Sequence, residues 1–226
     1  MFPSFTVPPV PQACRKCLPS AVRSADANCR PLTTVTVLPP RPLRSRWMRA
    51  VCARGGKAAG GQMEVMTPIK FREVEFPEGI DLKRWEVYGD ILDADVVINV
   101  PIAKDHGIAR LTLGGKNLMG VVTNRGAFHI NLGQRVADTL SRVRPALTVI
   151  DAVRILMANG PTGGDLGDVK LANTVIASAD TVAADAYATG LFGLKPTDIA
   201  YIKAGAAMGL GTMDLGTVRV DEFEVA

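Results

Sequence analysis

The chain has 226 residues, 47% of them hydrophobic and 21% charged, which suits an ordinary globular domain and excludes a low-complexity or fibrous chain. No apolar run approaches the ~20 residues needed to span a bilayer, and no basic-then-apolar leader marks secretion, so a cytoplasmic protein without membrane contact is expected. The net charge of +4 hides a split, with residues 1–50 carrying +7 and the rest −3, so the body of the chain does not read as a nucleic-acid binder.

Residues 1–50 hold nine of the fifteen prolines and none of the twenty-two glycines. Proline at that density breaks helices and central strands alike, so this segment is expected to be an irregular or disordered extension, foreign enough in composition to suggest a displaced start. Cys14, Cys17, Cys29 and Cys52 form one C-x-x-C pair and two long gaps. That spacing fits neither a ferredoxin cluster nor a zinc ribbon, so an iron–sulfur cluster is not expected in this chain.

A single domain is expected over 51–226. "MRAVCARGGKAAGG" resembles a helix closing on glycine. "QMEVM" and "KFREVEF" read as short strands, and "LKRWEVYGDILDA" as a helix with Trp85, Tyr88 and Leu92 inward. "DVVINV" is continuously apolar, as in a strand covered on both faces. "NLGQRVADTLSRV" places Leu132, Val136, Leu140 and Val143 at helical spacing. "ALTVIDAV" and "NTVIASA" read as buried strands. "TVAADAYATGLFG" and "TDIAYIKAGAAMG" read as helices ending on Gly193 and Gly209, and "TVRVDEFEV" as an edge strand. The alternation predicts an α/β fold, a mainly parallel sheet with helices on both faces.

In such folds ligands gather outside the carboxyl ends of the strands. Asn99, Asp151, Ser178 and Asp180 sit at or near strand ends and are expected to pool there, although each could equally cap a loop. Just past "DVVINVP" comes "KDHGIARLTLGGKNLMG", with Lys104 and His106 in a loop and Lys116 and Asn117 about three turns on if 107–118 is helical. Lysines, a histidine and free N–H groups at a helix start favour a small anion. Glycines 114, 115 and 120 cost helix stability, so close backbone approach or a turn is expected of them. Lys104, His106 and Lys116 are the candidate catalytic residues, the histidine through an ordinary pKa near ~6.5. Asn99, Asn117, Gly120 and, in the loop "NGPTGGDLGD", Asn159, Gly163, Gly164 and Asp165 are candidate ligand contacts. His129, Asp151 and Asp185 allow a divalent metal, without any standard ligand spacing. Capping is the expected role of Asp180. No Walker loop or G-x-G-x-x-G is present.

"DADVVINVPIAKDHGIARLTLGGKNLMGVV", "RPALTVIDAVRILMANGPTGGD" and "VIASADTVAADAYATGLFGL" with "DIAYIKAGAAMGLG" closely resemble the domain-of-unknown-function family numbered 362. The resemblance implies polar motif positions at Lys104, His106, Lys116, Asn117, Gly120, Asn159, Gly160, Gly163, Gly164, Asp180 and Asp185. It also implies a bacterial or archaeal protein without an assigned reaction, and a link to ferredoxin-like iron–sulfur modules, hence a ferredoxin-like redox partner. Family members carry a longer α/β N-terminal half, so this chain is expected to lack part of it. The leading expectation is a domain binding a small anionic or metal-bound ligand, with enzymatic activity left open. The alternatives are an iron–sulfur-associated redox protein and a truncated non-catalytic remnant.

Overall fold

The computed structural model describes residues 61–62, 64–162 and 165–224. The leader, the four cysteines, the domain boundary expected near residue 50, the helix end expected at 48–60, and Gly163 and Gly164 lie outside the described residues.

A hairpin comes first. β1 (Phe71–Glu75) runs antiparallel to β2 (Arg84–Tyr88), with Phe71 opposite Tyr88 and Val74 opposite Trp85. The first pair meets ring edge to ring face at 5.3 Å. The helix expected at "LKRWEVYGDILDA" is therefore a strand followed by one short helix, α1 (Gly89–Asp93). Trp85, Val87 and Tyr88 are strand formers, and a partner strand settles the choice against the weak helical spacing.

The main sheet is centred on the longest pairing, β6 (Leu147–Leu156) with β7 (Val169–Ser178), which are antiparallel. On the other edge of β6 lie β3 (Ile98–Asn99) and β4 (Ile102–His106), both parallel to it, with Pro101 breaking the ladder between them. β5 (Arg110–Thr112) folds back antiparallel on β4. Three of the five strands thus share one direction and the sheet is mixed.

Helices α2 (Gly114–Asn117), α3 (Arg125–Phe128), α4 (Leu132–Val143), α5 (Thr181–Thr189) and α6 (Ala200–Ala207) complete the α/β class expected from the sequence. α5 lies against β6 and β7, and α4 packs on α6. A side chain at Gly133 would come within 2.7 Å of Ala200 Cβ, so glycine is what lets those two helices meet. Leu132, Val136, Leu140 and Val143 are all buried, as their spacing predicts. The segments holding α5 and α6 stop at Gly193 and Gly209, each with φ of +69°.

One face of the sheet is covered: Thr148, Ile150, Ala152 and Ile155 are buried under the helices. The opposite face is open among the described residues, and Ile102, Leu171 and Val175 on it are 50–61% exposed. The second helical layer expected from the sequence is not among the described residues. "DVVINV" accordingly forms a strand half-covered rather than enclosed, with Val96, Ile98 and Val100 exposed. The edge strand expected at "TVRVDEFEV" does not form in the described part, 217–224, where Phe223 is exposed and no partner strand is present.

Candidate functional site

The site is assembled by a carboxylate far away in sequence. Asp185, on the buried side of α5, accepts hydrogen bonds from Gly114 N–H at 2.6 Å and Gly115 N–H at 2.8 Å. These are the first N–H groups of α2, so the free donors expected at that helix start are occupied by protein. Glycine is needed here, as expected: a Cβ at 114 would lie 2.8–2.9 Å from Asp185 Oδ1, Thr181 Cγ2 and Thr148 Cγ2. Burial raises the Asp185 pKa to about 7, against the pull of the two N–H donors. The other side of α2 is held by amides. Asn99 Nδ2 donates to Gly114 O at 2.9 Å, and Asn117 Nδ2 donates to Asn99 Oδ1 at 2.8 Å. Asn99 and Asn117 are therefore brought together, as structural partners.

With α2 fixed, its lysine is buried. Lys116 is 7% exposed, and among the described residues its ammonium has no hydrogen-bond partner and no ion pair. Burial first, and then the charges of Lys104 and Arg125, lower its pKa to about 8. Lys104 and His106 lie on β4 rather than in a loop, because "RLT" pairs back on it as β5 and no helix spans 107–113. His106 is 8% exposed and its Nδ1 accepts from the N–H groups of Ile108 and Ala109, each at 3.2 Å. Burial, then Lys116, His129 and Lys104, lower its pKa to about 4. It is thus neutral at physiological pH, a weak base, and unlike the free imidazole from which its acid–base role was expected.

His129 caps α3, its Nδ1 2.6 Å from Arg125 O, and its ring stacks on His106 with centroids 6.3 Å apart. Thr112, opposite Lys104, adds a hydroxyl that is buried and without a hydrogen-bond partner. Lys104, His106, Lys116 and His129 thus gather with two residues not singled out from the sequence, Arg125 and Thr112. The charged neighbours shifting Lys116 and His106 are all basic. Arg125 stood in "NRGAFHINLGQ", four residues before His129, and only that adjacency could have flagged it.

Other candidates lie elsewhere. Gly120 is half-buried with open space around it, and its carbonyl accepts from Arg125 at 3.1 Å, so it neighbours the cluster. The 159–165 loop is tied to β4, with Gly160 N–H donating to Asp105 Oδ2 at 2.9 Å. A Cβ on Gly160 would strike Asp105 O at 2.1 Å. Asn159 donates to Asp168 Oδ2 at 3.0 Å, and Asp165 caps the turn Leu166–Asp168, so both are engaged in folding that loop. Asp180 caps α5 through Ala183 N–H, as expected, and also accepts from Thr212 N–H.

Of Asn99, Asp151, Ser178 and Asp180, expected to pool at one sheet edge, three do and Asp151 does not: Asn99 and Ser178 both stand opposite Thr148, and Asp180 N–H donates to Ser178 Oγ at 3.0 Å. β7 is antiparallel, so Ser178 returns to the start of β6, opposite Thr148. Asp151 lies mid-strand in register with Ile102 and Val175, on the open face, and accepts from Val153 N–H at 3.0 Å. Asp185 is under the covered face, so these two carboxylates cannot share a metal. Among the described residues no group of three histidine, cysteine or acidic side chains could hold a metal ion.

The carboxylate that the sequence reading missed outright is Asp138. It is fully buried on α4 and accepts from the N–H groups of Ile80, Asp81 and Leu82 and from Gln134 Nε2, at 2.7–2.9 Å. Only its place in an otherwise apolar helix stripe could have marked it.

The sheet, the helices packed on it and a cluster of basic side chains beside α2, whose first turn Asp185 seats, define a small α/β domain. The family model described as domain of unknown function (DUF362) matches residues 43–190, and the chain belongs to that family. It is 29% identical over 173 residues to a thylakoid-associated protein of Synechocystis sp., covering 70% of this chain and 53% of that relative. The chain therefore spans about half the length of the curated relative it matches. No solved structure matches it. No helix among the described residues is long and apolar enough to cross a membrane.

Proposed function

We propose that the cluster of Lys104, His106, Lys116, Arg125 and His129 binds a small anion. The observation that carries this reading is Lys116: a lysine 7% exposed whose ammonium has, among the described residues, no carboxylate and no hydrogen bond of its own. Burying an unpaired charge is strongly unfavourable, and a ligand oxygen is the partner that would relieve it. The unsatisfied Thr112 hydroxyl supports the same reading. His106, neutral, would donate from Nε2, and Gly120 would leave space beside the ligand. With a pKa of about 8, Lys116 is also the group suited to pass a proton to or from a bound substrate, should the domain be an enzyme. The redox alternative rests on cysteines outside the described residues.

The test is thermal unfolding of the full chain with phosphate, sulfate and short carboxylates at constant ionic strength. Wild type should gain at least about 2 °C in Tm at saturating anion, and Lys116→Met should gain nothing. A wild type that responds to no anion overturns the reading. A cytoplasmic location is part of this proposal, although the Synechocystis relative is described as thylakoid-associated. Cell fractionation in which the protein sediments with membranes would refute that part.

A further inference from the structure

We propose that this cluster is built for an oxyanion that keeps a hydroxyl beside its charge, hydrogen phosphate or a hydroxy-carboxylate, with His106 donating to the ligand and His129 accepting from it. The inference rests on the anion-binding reading above and deepens it.

It starts from the backbone around the two rings. His106 Nδ1 accepts from the N–H groups of Ile108 and Ala109, so its lone pair is in use there and the neutral ring carries its proton on Nε2. His129 is set the opposite way. Its Nδ1 faces the carbonyl oxygen of Arg125 at 2.6 Å, and a carbonyl can only accept. The neutral tautomer that fits this contact carries its proton on Nδ1 and a lone pair on Nε2. Among the described residues neither Nε2 has a hydrogen-bond partner. The ring centroids are 6.3 Å apart with an interplanar angle of 29°, and Lys116 is near enough for its charge to lower the His106 pKa.

The cations of the cluster cannot supply that lone pair. Lys104, Lys116 and Arg125 are donors only, and the Asn99 amide is engaged with Gly114 and Asn117. The Thr112 hydroxyl can turn either way and sets no preference. An anion with acceptors alone would satisfy the cations and His106, but would face His129 lone pair to lone pair. An anion with a hydroxyl satisfies both rings at once.

Calorimetric titration of the full chain at pH 7.5 and constant ionic strength tests this with two matched pairs. Phosphate and sulfate are nearly isosteric, but only phosphate retains a proton. Glycolate and acetate differ by one hydroxyl. The hydroxyl-bearing member should bind about tenfold tighter in at least one pair, the size expected of one satisfied acceptor. Which pair discriminates tells phosphate from hydroxy-carboxylate. His129→Phe should erase the preference, so that the two members of each pair bind the variant alike. Equal affinities within both pairs, or a preference that survives His129→Phe, overturn the inference while leaving anion binding intact. Failure of all four anions to bind wild type would instead sink the underlying reading. Imidazole 15N spectra of wild type give a check that needs no variant: a proton on Nδ1 of His106, or on Nε2 of His129, overturns the assignment.

Discussion

At the scale of single residues, Lys116 shows what burying a lysine costs the fold. Its pKa falls from 10.5 to about 8, so the unfolded chain holds the proton more tightly than the folded one between those values. Free protein should therefore gain stability as pH rises through 8 towards 10.5, when the buried charge is discharged. Lys116→Met should stabilise the unliganded fold at pH 7 by about 1–3 kcal/mol, at ~1.4 kcal/mol per pKa unit, while removing anion binding. Urea unfolding and titration on the same preparations check both halves, and a destabilised variant would contradict the charge-burial argument. His106 acts in the same sense at lower pH: its pKa of about 4 means stability is lost as pH falls from 6.5 towards 4. Part of this site was legible in the sequence because Lys104, His106, Lys116 and Asn117 stand within fourteen residues on one hairpin and its following turn. Asp185, Arg125 and Thr112 were not legible in their present roles. Those roles depend on which helix packs on which strand, and on register, which single-sequence spacing does not carry.

At the scale of elements, two buried carboxylates fix backbone far from them in sequence. Asp138 binds three consecutive N–H groups of the 80–82 turn. Asp138→Ala should cost about 3 kcal/mol or more, since each orphaned donor costs ~1–3 kcal/mol, measured by chemical denaturation. α2 depends on Asp185 in the same way, and its glycines separate by context. Gly114→Ala should destabilise by about 1–3 kcal/mol through overpacking against Asp185, Thr148 and Thr181, whereas Gly120→Ala should stay within ~0.5 kcal/mol. Equal effects at both positions would contradict the close approach at 114. Helix α4 was readable because its apolar stripe repeats over three turns. The 82–94 segment misled because Trp85, Tyr88 and Leu92 also fit a helical period, and only the facing strand 71–75 decides. Asn99 illustrates the same limit: its position at a strand end was visible, but its commitment to Gly114 and Asn117 required the fold-back of β5.

At the scale of the molecule, the sheet has one buried face and one open face among the described residues, and the difference can be measured. Ile150→Ala, under the helices, should cost about 2–5 kcal/mol by cavity formation. Val175→Lys, on the open face at 61% exposure, should change stability by no more than about 0.5 kcal/mol. If Val175→Lys proves as damaging as Ile150→Ala, something covers that face in solution. The alternation of strands and helices disclosed the α/β class, yet alternation cannot tell a sheet clad on both sides from one clad on a single side, because "DVVINV" is equally apolar in either case. The Asp185 clasp has a last consequence, for biosynthesis. The carboxylate that seats the first turn of α2 lies 70 positions downstream of Gly115. A nascent polypeptide carries its lysines well before it carries the group that orients them, so the basic cluster can mature only after the ribosome has delivered α5.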